Sequence, residues 1–399
     1  MYLELPGKLK ALQTMSRQMA NEMLRPISRK YDLAEHAYPK ELDTIAAMLD
    51  GMNDGSGNAI GADSTRKEKS SDGSVKNGGN MTAVVGIQEM CWGDVGLLLT
   101  LPRQGLGNAA IAAVANDEQR ARYGNKWAAM AITEPGFGSD SAAVSTTAKQ
   151  DGDYYVLNGE KIFVTAGERA DIVVVWATLD KSLGRAAIKS FAVEKGTPGM
   201  QVMRLEKKLG VKASDTAAIN FTDCRVHKSN LLGNPEIDVK KGFGGVMETF
   251  DNTRPLVAAM AVGLAKASLD RTRELLAEHL QLSYDQPTAT LSQIQATFYQ
   301  MEAEWEAARL LTIRAAWMAD NGQPNSKEAS VAKAKAGRTC NAITLKCVEL
   351  CSSLGYSETE MLEKWSRDSK ILDIFEGTQQ IQQLIVARRL LGKSSSELK

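Results

Sequence analysis

The apolar residues of this chain change their spacing twice, so no core of one kind can be built from all of it. From residue 8 to residue 123 they recur at helical intervals, over 8–25 and 40–48 and again over 81–96, 97–106 and 108–123. At Trp127 the spacing becomes strand-like and stays so to about residue 237. From Gly242 it is helical again, over 243–251, 253–279, 291–321, 326–353 and a closing pair at 364–372 and 379–391. Long amphipathic segments with short connections predict an antiparallel four-helix bundle. The expected fold class is therefore α+β: a helical N-terminal domain over 1–125, a β-domain over 126–237 and a helical bundle over 238–399. A length of 399 residues accommodates two or three such domains with ample chain for large cores.

Within the middle third, Asn158-Gly159 stands between the strand-like segments Tyr154-Tyr155-Val156-Leu157 and Glu160-Lys161-Ile162-Phe163-Val164, which predicts a β-hairpin with a type I′ turn. Further short strands are expected at 171–177, 190–193 and 217–221. Residues 51–80 carry Gly, Ser, Asn, Asp and Lys with almost nothing to bury, so this stretch reads as a loop-like insertion.

Charge and composition exclude several function classes. Lysine and arginine number 48 and aspartate and glutamate 48, leaving no basic excess for a nucleic-acid surface. No apolar run approaches the roughly 20 residues of a membrane span. The opening residues lack the pattern of a signal peptide, so a cytoplasmic protein is expected. Cys91, Cys224, Cys340, Cys347 and Cys351 have no CxxC spacing, and only three histidines are present. Metal binding and a Ser-His or Cys-His nucleophile are not expected. The chemistry falls to a carboxylate or a cofactor.

Four stretches are candidates for that chemistry. In Thr133-Glu134-Pro135-Gly136-Phe137-Gly138-Ser139-Asp140, Pro-Gly and a second glycine make a tight turn that frees amides and hydroxyls to face a ligand. Ile162-Phe163-Val164-Thr165 is a strand with an aromatic residue. Phe250-Asp251-Asn252-Thr253-Arg254-Pro255 reads as a helix start, with proline in the first turn. In Ile374-Phe375-Glu376-Gly377-Thr378-Gln379-Gln380-Ile381-Gln382, a carboxylate and a glycine sit at the bend between two helices, and Thr378 can cap the second. Taken singly, each is also what an ordinary turn, core strand or helix end looks like.

Together these runs resemble the acyl-CoA dehydrogenase family over nearly the whole chain, most specifically from Ala131 onward. The resemblance implies FAD as cofactor, an acyl-CoA thioester as substrate and electron-transfer flavoprotein as electron acceptor. Glu376 would be the base that removes the substrate α-proton, giving a trans-2-enoyl-CoA. Some relatives carry the base where this chain has Thr253, which cannot serve, so Glu376 remains. By the same resemblance Met130, Ile132, Thr133, Ser139, Phe163, Thr165, Thr378 and Gln380 contact the flavin. Ser139, Phe250, Asp251, Arg254, Phe375, Gly377 and Arg388 contact the substrate or its CoA. The family often has Trp at the position of Phe163, and Phe serves equally as an apolar wall. Residues 97–101 would line the far end of the acyl pocket or a plain core stripe.

Two stretches depart from the family pattern. Many relatives carry an Arg-Lys-x-Phe-Gly type segment that binds a neighbouring subunit's FAD pyrophosphate, whereas residues 278–287 here contain neither arginine nor glycine. Where the family has Gln-x-x-Gly-Gly, this chain has Glu349-Leu350-Cys351-Ser352-Ser353. Both departures fall on what a subunit gives its neighbour. They lead to an expected α2β2 pairing with a paralogous acyl-CoA dehydrogenase subunit, in place of the homotetramer. The alternatives are flavin chemistry of another kind on the same fold, or a non-catalytic, FAD-sharing structural subunit.

Overall fold

The structure, a computed structural model, describes residues 5–52, 78–103, 106–237, 244–395 and 397–398, with side chains left out at 49–52 and 244–252. Most of the 51–80 insertion thus lies outside the described residues. Its two edges belong to helices.

The N-terminal region comprises α1 (Gly7–Met19), α2 (Arg25–Leu33), α3 (Glu41–Met52), α4 (Gly79–Gly93), α5 (Val95–Leu98), α6 (Leu106–Val114) and α7 (Asp117–Tyr123). A π-helical turn, Ala20–Leu24, joins α1 to α2 immediately before Pro26, whose missing N–H cannot continue the regular ladder. α4 is apolar on nearly every face, and it is buried along almost its whole length against α8. The helix expected over 97–106 is not continuous: Asp94 caps the start of α5 by accepting from the Leu97 amide at 2.8 Å, and that helix ends at Leu98. Leu97, Leu98 and Leu101 pack into the helical core. The expected helix 108–123 is divided by a capping box in which Asn116 and Gln119 bond each other's backbone.

The strands are β1 (Ala128–Ala131), β2 (Thr147–Asp151), β3 (Tyr154–Thr165), β4 (Ile172–Thr178), β5 (Ile188–Glu194), β6 (Met200–Leu205) and β7 (Thr216–His227). They form one sheet in the order β1-β4-β2-β3-β7-β6, with β5 also on β4. β4 is buried at every position, the burial expected of an unbroken apolar run. The hairpin predicted at Asn158-Gly159 is not there. β3 runs straight through it, and the turn lies earlier, where Gly152-Asp153 closes β2 onto β3. Asn158-Gly159 instead forms a bulge against β7, with Asn158 and Asp223 exchanging side-chain to backbone and side-chain bonds. Glycine is required there by crowding, since a Cβ would stand 2.4 Å from Thr146 Oγ1.

The C-terminal region comprises α8 (Gly244–Leu275), the short α9 (Ala277–Leu280), α10 (Gln293–Asp320), α11 (Ser326–Tyr356), α12 (Leu362–Leu372) and α13 (Gln379–Leu391). α11 lies at the centre, packed on α8, α10, α12 and α13. α8 corrects a second expectation. The helix does not start at Thr253, and Pro255 lies well inside it. The hydrogen bond lost at proline is outweighed by the apolar face that follows, Leu256 to Leu269, which is buried at most positions. Among the described residues no helix is long and apolar enough to cross a membrane.

Candidate active site

The bend between α12 and α13 is fixed from behind. Lys364, buried on α12, donates to Asp94 Oδ2 at 2.7 Å and to Asp368 Oδ2 at 2.6 Å. Asp368 Oδ1 accepts from the Val211 amide at 2.5 Å, on the loop between β6 and β7. That loop presses so closely on α12 that a Cβ on Gly210 would meet the Arg367 carbonyl carbon at 2.5 Å. The same loop reaches the end of β3, where the Ala166 amide donates to the Asp215 carbonyl at 3.1 Å. α12 is thereby held against both the N-terminal helices and the sheet.

Past α12 the chain turns through Glu376 at φ +57° and Gly377 at φ +88°. A non-glycine residue in that region costs on the order of 1–3 kcal/mol and persists only where its surroundings impose it. Here they do. Gln382 Nε2 donates to the carbonyls of Glu376 and Gly377 at 2.9 and 3.2 Å, and Lys333 Nζ donates to the Gly377 carbonyl at 2.7 Å. Thr378 caps α13 by accepting from the Ile381 amide at 3.4 Å.

The Glu376 carboxylate is thus turned back toward α8, where Oε2 accepts from the Thr253 hydroxyl at 2.8 Å. The residue keeps part of its surface open, yet its head is deep enough that burial raises its pKa. The Thr253 bond and the cations Arg254 and Lys333 oppose that rise without cancelling it. Lys333 is 1% exposed, and burial brings its pKa down to about 8 against the pull of Glu376 and Asp373.

A second group of residues gathers on the sheet. The turn after β1 is closed by two backbone bonds between Glu134 and Phe137, at 3.2 and 3.0 Å. Beneath it lies a buried ion pair, Lys161 Nζ to Glu134 Oε1 at 2.7 Å, and Lys161 also donates to the Ile132 carbonyl at 3.1 Å. Glu134 accepts from the Ser145 and Thr146 amides at 2.7 and 2.9 Å. Burial pushes this carboxyl up, but Lys161 and these donors outweigh it and hold the pKa at about 2. Lys161 has fewer partners and deeper burial, so its own pKa falls to about 8. The opposite tendencies of the two partners reflect that unequal set of hydrogen bonds.

The Ile162 amide donates to the Thr133 carbonyl at 2.9 Å, which places the loop alongside β3. Just beyond, a bulge between Lys161 and Val164 carries Phe163 at φ +56°, and the residue is 59% exposed. An exposed ring beside a hydroxyl-bearing loop fits the edge of a flat aromatic group with polar margins, as FAD would present.

The sequence-predicted residues are thus divided between two places. Met130 and Ile132 are half-buried on and after β1, Ser139 is exposed on the loop, and Thr165 ends β3 opposite Thr216. Phe375, Gly377 and Thr378 surround Glu376, while Gln380 is exposed on α13. Arg254 is buried on α8, and the side chains of Phe250 and Asp251 lie outside the described residues. Arg388 stands near the far end of α13 and donates to the Leu398 carbonyl at 2.7 Å.

Sequence reasoning missed Lys333, Gln382, the Glu134–Lys161 pair and the Asp94–Lys364–Asp368 cluster. Lys333 left a trace. Ala329, Ala332, Ala336 and Cys340 mark the buried stripe of α11, and Lys333 is a charge within it.

Two family models match this chain: the acyl-CoA dehydrogenase middle domain over residues 129–224 and its C-terminal domain over 240–391. The rat mitochondrial short-chain specific acyl-CoA dehydrogenase is 40% identical over 268 residues, 67% of this chain and 64% of its own length. The match thus spans somewhat under two thirds of that relative. The bovine enzyme of the same name is 34% identical over 98% of this chain and 91% of its own. The acryloyl-CoA reductase (NADH) of Anaerotignum propionicum is 33% identical over 96% and 94%. Among solved structures, butyryl-CoA dehydrogenase of Megasphaera elsdenii superposes with TM-score 0.83 at 28% identity, covering 98% of this chain and 100% of the other.

Proposed function

The chain belongs to the acyl-CoA dehydrogenase family, and on that premise we propose that it is an FAD-dependent α,β-dehydrogenase of acyl-CoA thioesters with Glu376 as its base. The observation that carries this reading is the Glu376 carboxylate, turned inward on a strained bend, partly open, and raised in pKa by burial.

A thioester α-hydrogen is weakly acidic, and a carboxylate removed from water is a stronger base toward it. Glu376 takes that proton on its carboxylate. The Thr253 bond to Oε2 leaves the other oxygen to meet the α-carbon and fixes the direction of approach. FAD, when bound, supplies the acceptor for the β-hydrogen, which leaves as hydride with its electron pair, so that a trans-2-enoyl-CoA remains. The exposed Phe163 ring with Thr133, Ser139 and Thr165 would hold the flavin, joined by Met130 and Ile132 through their backbone and by Thr378 and Gln380. Arg254, Phe375 and Gly377 near the base, Ser139 on the loop, Phe250 and Asp251 on α8, and Arg388 along α13 are assigned to the thioester and its CoA. Boundaries near residues 126 and 238 separate the flavin-facing sheet from the helices that carry the base.

Replacing Glu376 by Gln tests the reading. Turnover of butyryl-, octanoyl- and palmitoyl-CoA should fall by about 10²-fold or more, the scale of a lost general base. Full turnover in Glu376→Gln would overturn it.

We assign the electrons to an electron-transfer flavoprotein and the chain to an α2β2 pair. Support for the pairing comes from the end of α11. Glu349 presents a 67% exposed carboxylate there, paired with Lys346 Nζ at 2.5 Å, and Ser352 occupies a backbone conformation at φ +52° that favours glycine. A carboxylate opposes a neighbouring pyrophosphate. Full FAD occupancy in a homotetramer of this chain would exclude the pairing.

A further inference from the structure

The mechanism leaves the buried cation of α11 unassigned. Lys333 projects from the centre of α11 into the bend that carries Glu376, and it is among the largest fully buried side chains of the protein. A lysine is placed there against the cost of desolvation, and its ammonium donates to the active-site turn at the Gly377 carbonyl, 2.7 Å away.

Three charged groups face it. Arg254 on α8 repels it, while Asp373 at the end of α12 and Glu376 attract it. Asp373 already has two other cations, Arg338 Nε and Lys370 Nζ, each at 3.7 Å. The groups facing Glu376 are the Thr253 hydroxyl and Arg254 from α8, Lys333 from α11 and the Gln382 amide from α13, which reaches its backbone. Lys333 is thus joined to the bend by a hydrogen bond and to the carboxylate by charge.

We infer that Lys333 is a positioning residue for Glu376: its hydrogen bond to Gly377 fixes the turn, and its charge keeps the carboxylate ionised once acyl-CoA has excluded water. The inference rests on Glu376 being the base. It separates two tasks that a single carboxylate cannot perform alone. Burial makes Glu376 a stronger base but also drives it toward the neutral, useless form. A fixed internal cation limits the second effect without readmitting solvent.

The test compares Lys333→Gln, which keeps a donor but no charge, with Lys333→Met, which keeps neither, and Lys333→Arg, which keeps the charge. The readout is the pH midpoint of the Glu376 carboxyl band in difference infrared spectra of the FAD-loaded protein, assigned by its absence in Glu376→Gln. Both neutral variants should move that midpoint upward by about one pH unit, the effect of one lost neighbouring cation, and Lys333→Arg should restore it. The acid limb of kcat/KM for butyryl-CoA should follow. Lys333→Met should also lower the plateau of kcat, because the turn keeps the Gln382 bonds but loses the Lys333 bond to Gly377. An unmoved midpoint in both neutral variants, with near-ultraviolet circular dichroism like the parent's, would overturn the inference. Turnover by Glu376→Gln tests the base separately: if retained, it removes the catalytic part, and the midpoint alone then decides whether Lys333 and Glu376 are coupled.

Discussion

The Thr253 hydroxyl donates to Glu376 Oε2 at 2.8 Å across 123 positions of sequence, from α8 to the bend before α13. The donor stabilises the ionised form of the carboxylate, in the same direction as the cations and against burial. Thr253→Val keeps the shape and removes the donor. We expect the acid limb of kcat/KM to move to higher pH and kcat at its plateau to fall by about tenfold, the rough cost of one lost charge-assisted hydrogen bond. A pH–rate profile on one acyl-CoA measures both.

The Glu134–Lys161 pair under the loop after β1 gives a stability prediction. Lys161→Met leaves a buried carboxylate without its cation and should destabilise the protein by about 3–5 kcal/mol in urea denaturation. Replacing both residues, with Glu134→Gln added, should recover much of that loss. If FAD rests on this loop, flavin retention on gel filtration should fall in the single variant.

The same pair fixes a pH dependence. Glu134 has a folded pKa of about 2 against an ordinary 4.5, so the stability it contributes is present above 4.5 and is lost as pH falls toward 2. Lys161 is lowered to about 8 from 10.5, so its charged form costs stability below 8 and that cost disappears as pH rises toward 10.5. In Lys161→Met the gain in stability between 8 and 10.5 should be reduced relative to the parent. Chemical denaturation across this range checks the slope.

Ser352 stands in α11 at φ +52° and ψ −124°, a conformation that glycine adopts without strain. Ser352→Gly should therefore stabilise the protein by about 1 kcal/mol, the low end of the strain range. A rise in the urea midpoint at unchanged slope would show it.

The sequence made the helical, strand and helical order legible because burial imposes a different period on each. The bend around Glu376 was legible as the junction of two helical runs, but a carboxylate before glycine there also fits an ordinary helix end, and only its company along the chain set it apart. What misled was local turn chemistry: Asn158-Gly159 satisfies the rule for a hairpin, yet Thr146 crowds it from another strand and turns it into a bulge. Pro255 likewise reads as a helix start, while the burial of α8 carries the helix through it. The lysines were hidden for a related reason. Lys161, Lys333 and Lys364 occupy positions whose partners are remote in sequence, at 27, 44 and 270 positions for the bonds to Glu134, Gly377 and Asp94. For Lys161 nothing local marks the partner, while Lys333 shows only as a charge within the buried stripe of α11 and Lys364 only as half of an ordinary i,i+4 pair with Asp368.

The cluster of Asp94, Lys364 and Asp368 has a consequence for how the protein comes apart. Its members and the Val211 amide come from the N-terminal helices, the last helical pair and a loop of the sheet, so loss of the N-terminal helices would part Asp94 from Lys364 and loss of the sheet would take the amide donor from Asp368. The cluster therefore couples the three regions in unfolding. Heating should give a single calorimetric transition with equal van't Hoff and calorimetric enthalpies, and the isolated sheet or bundle should melt below the intact chain.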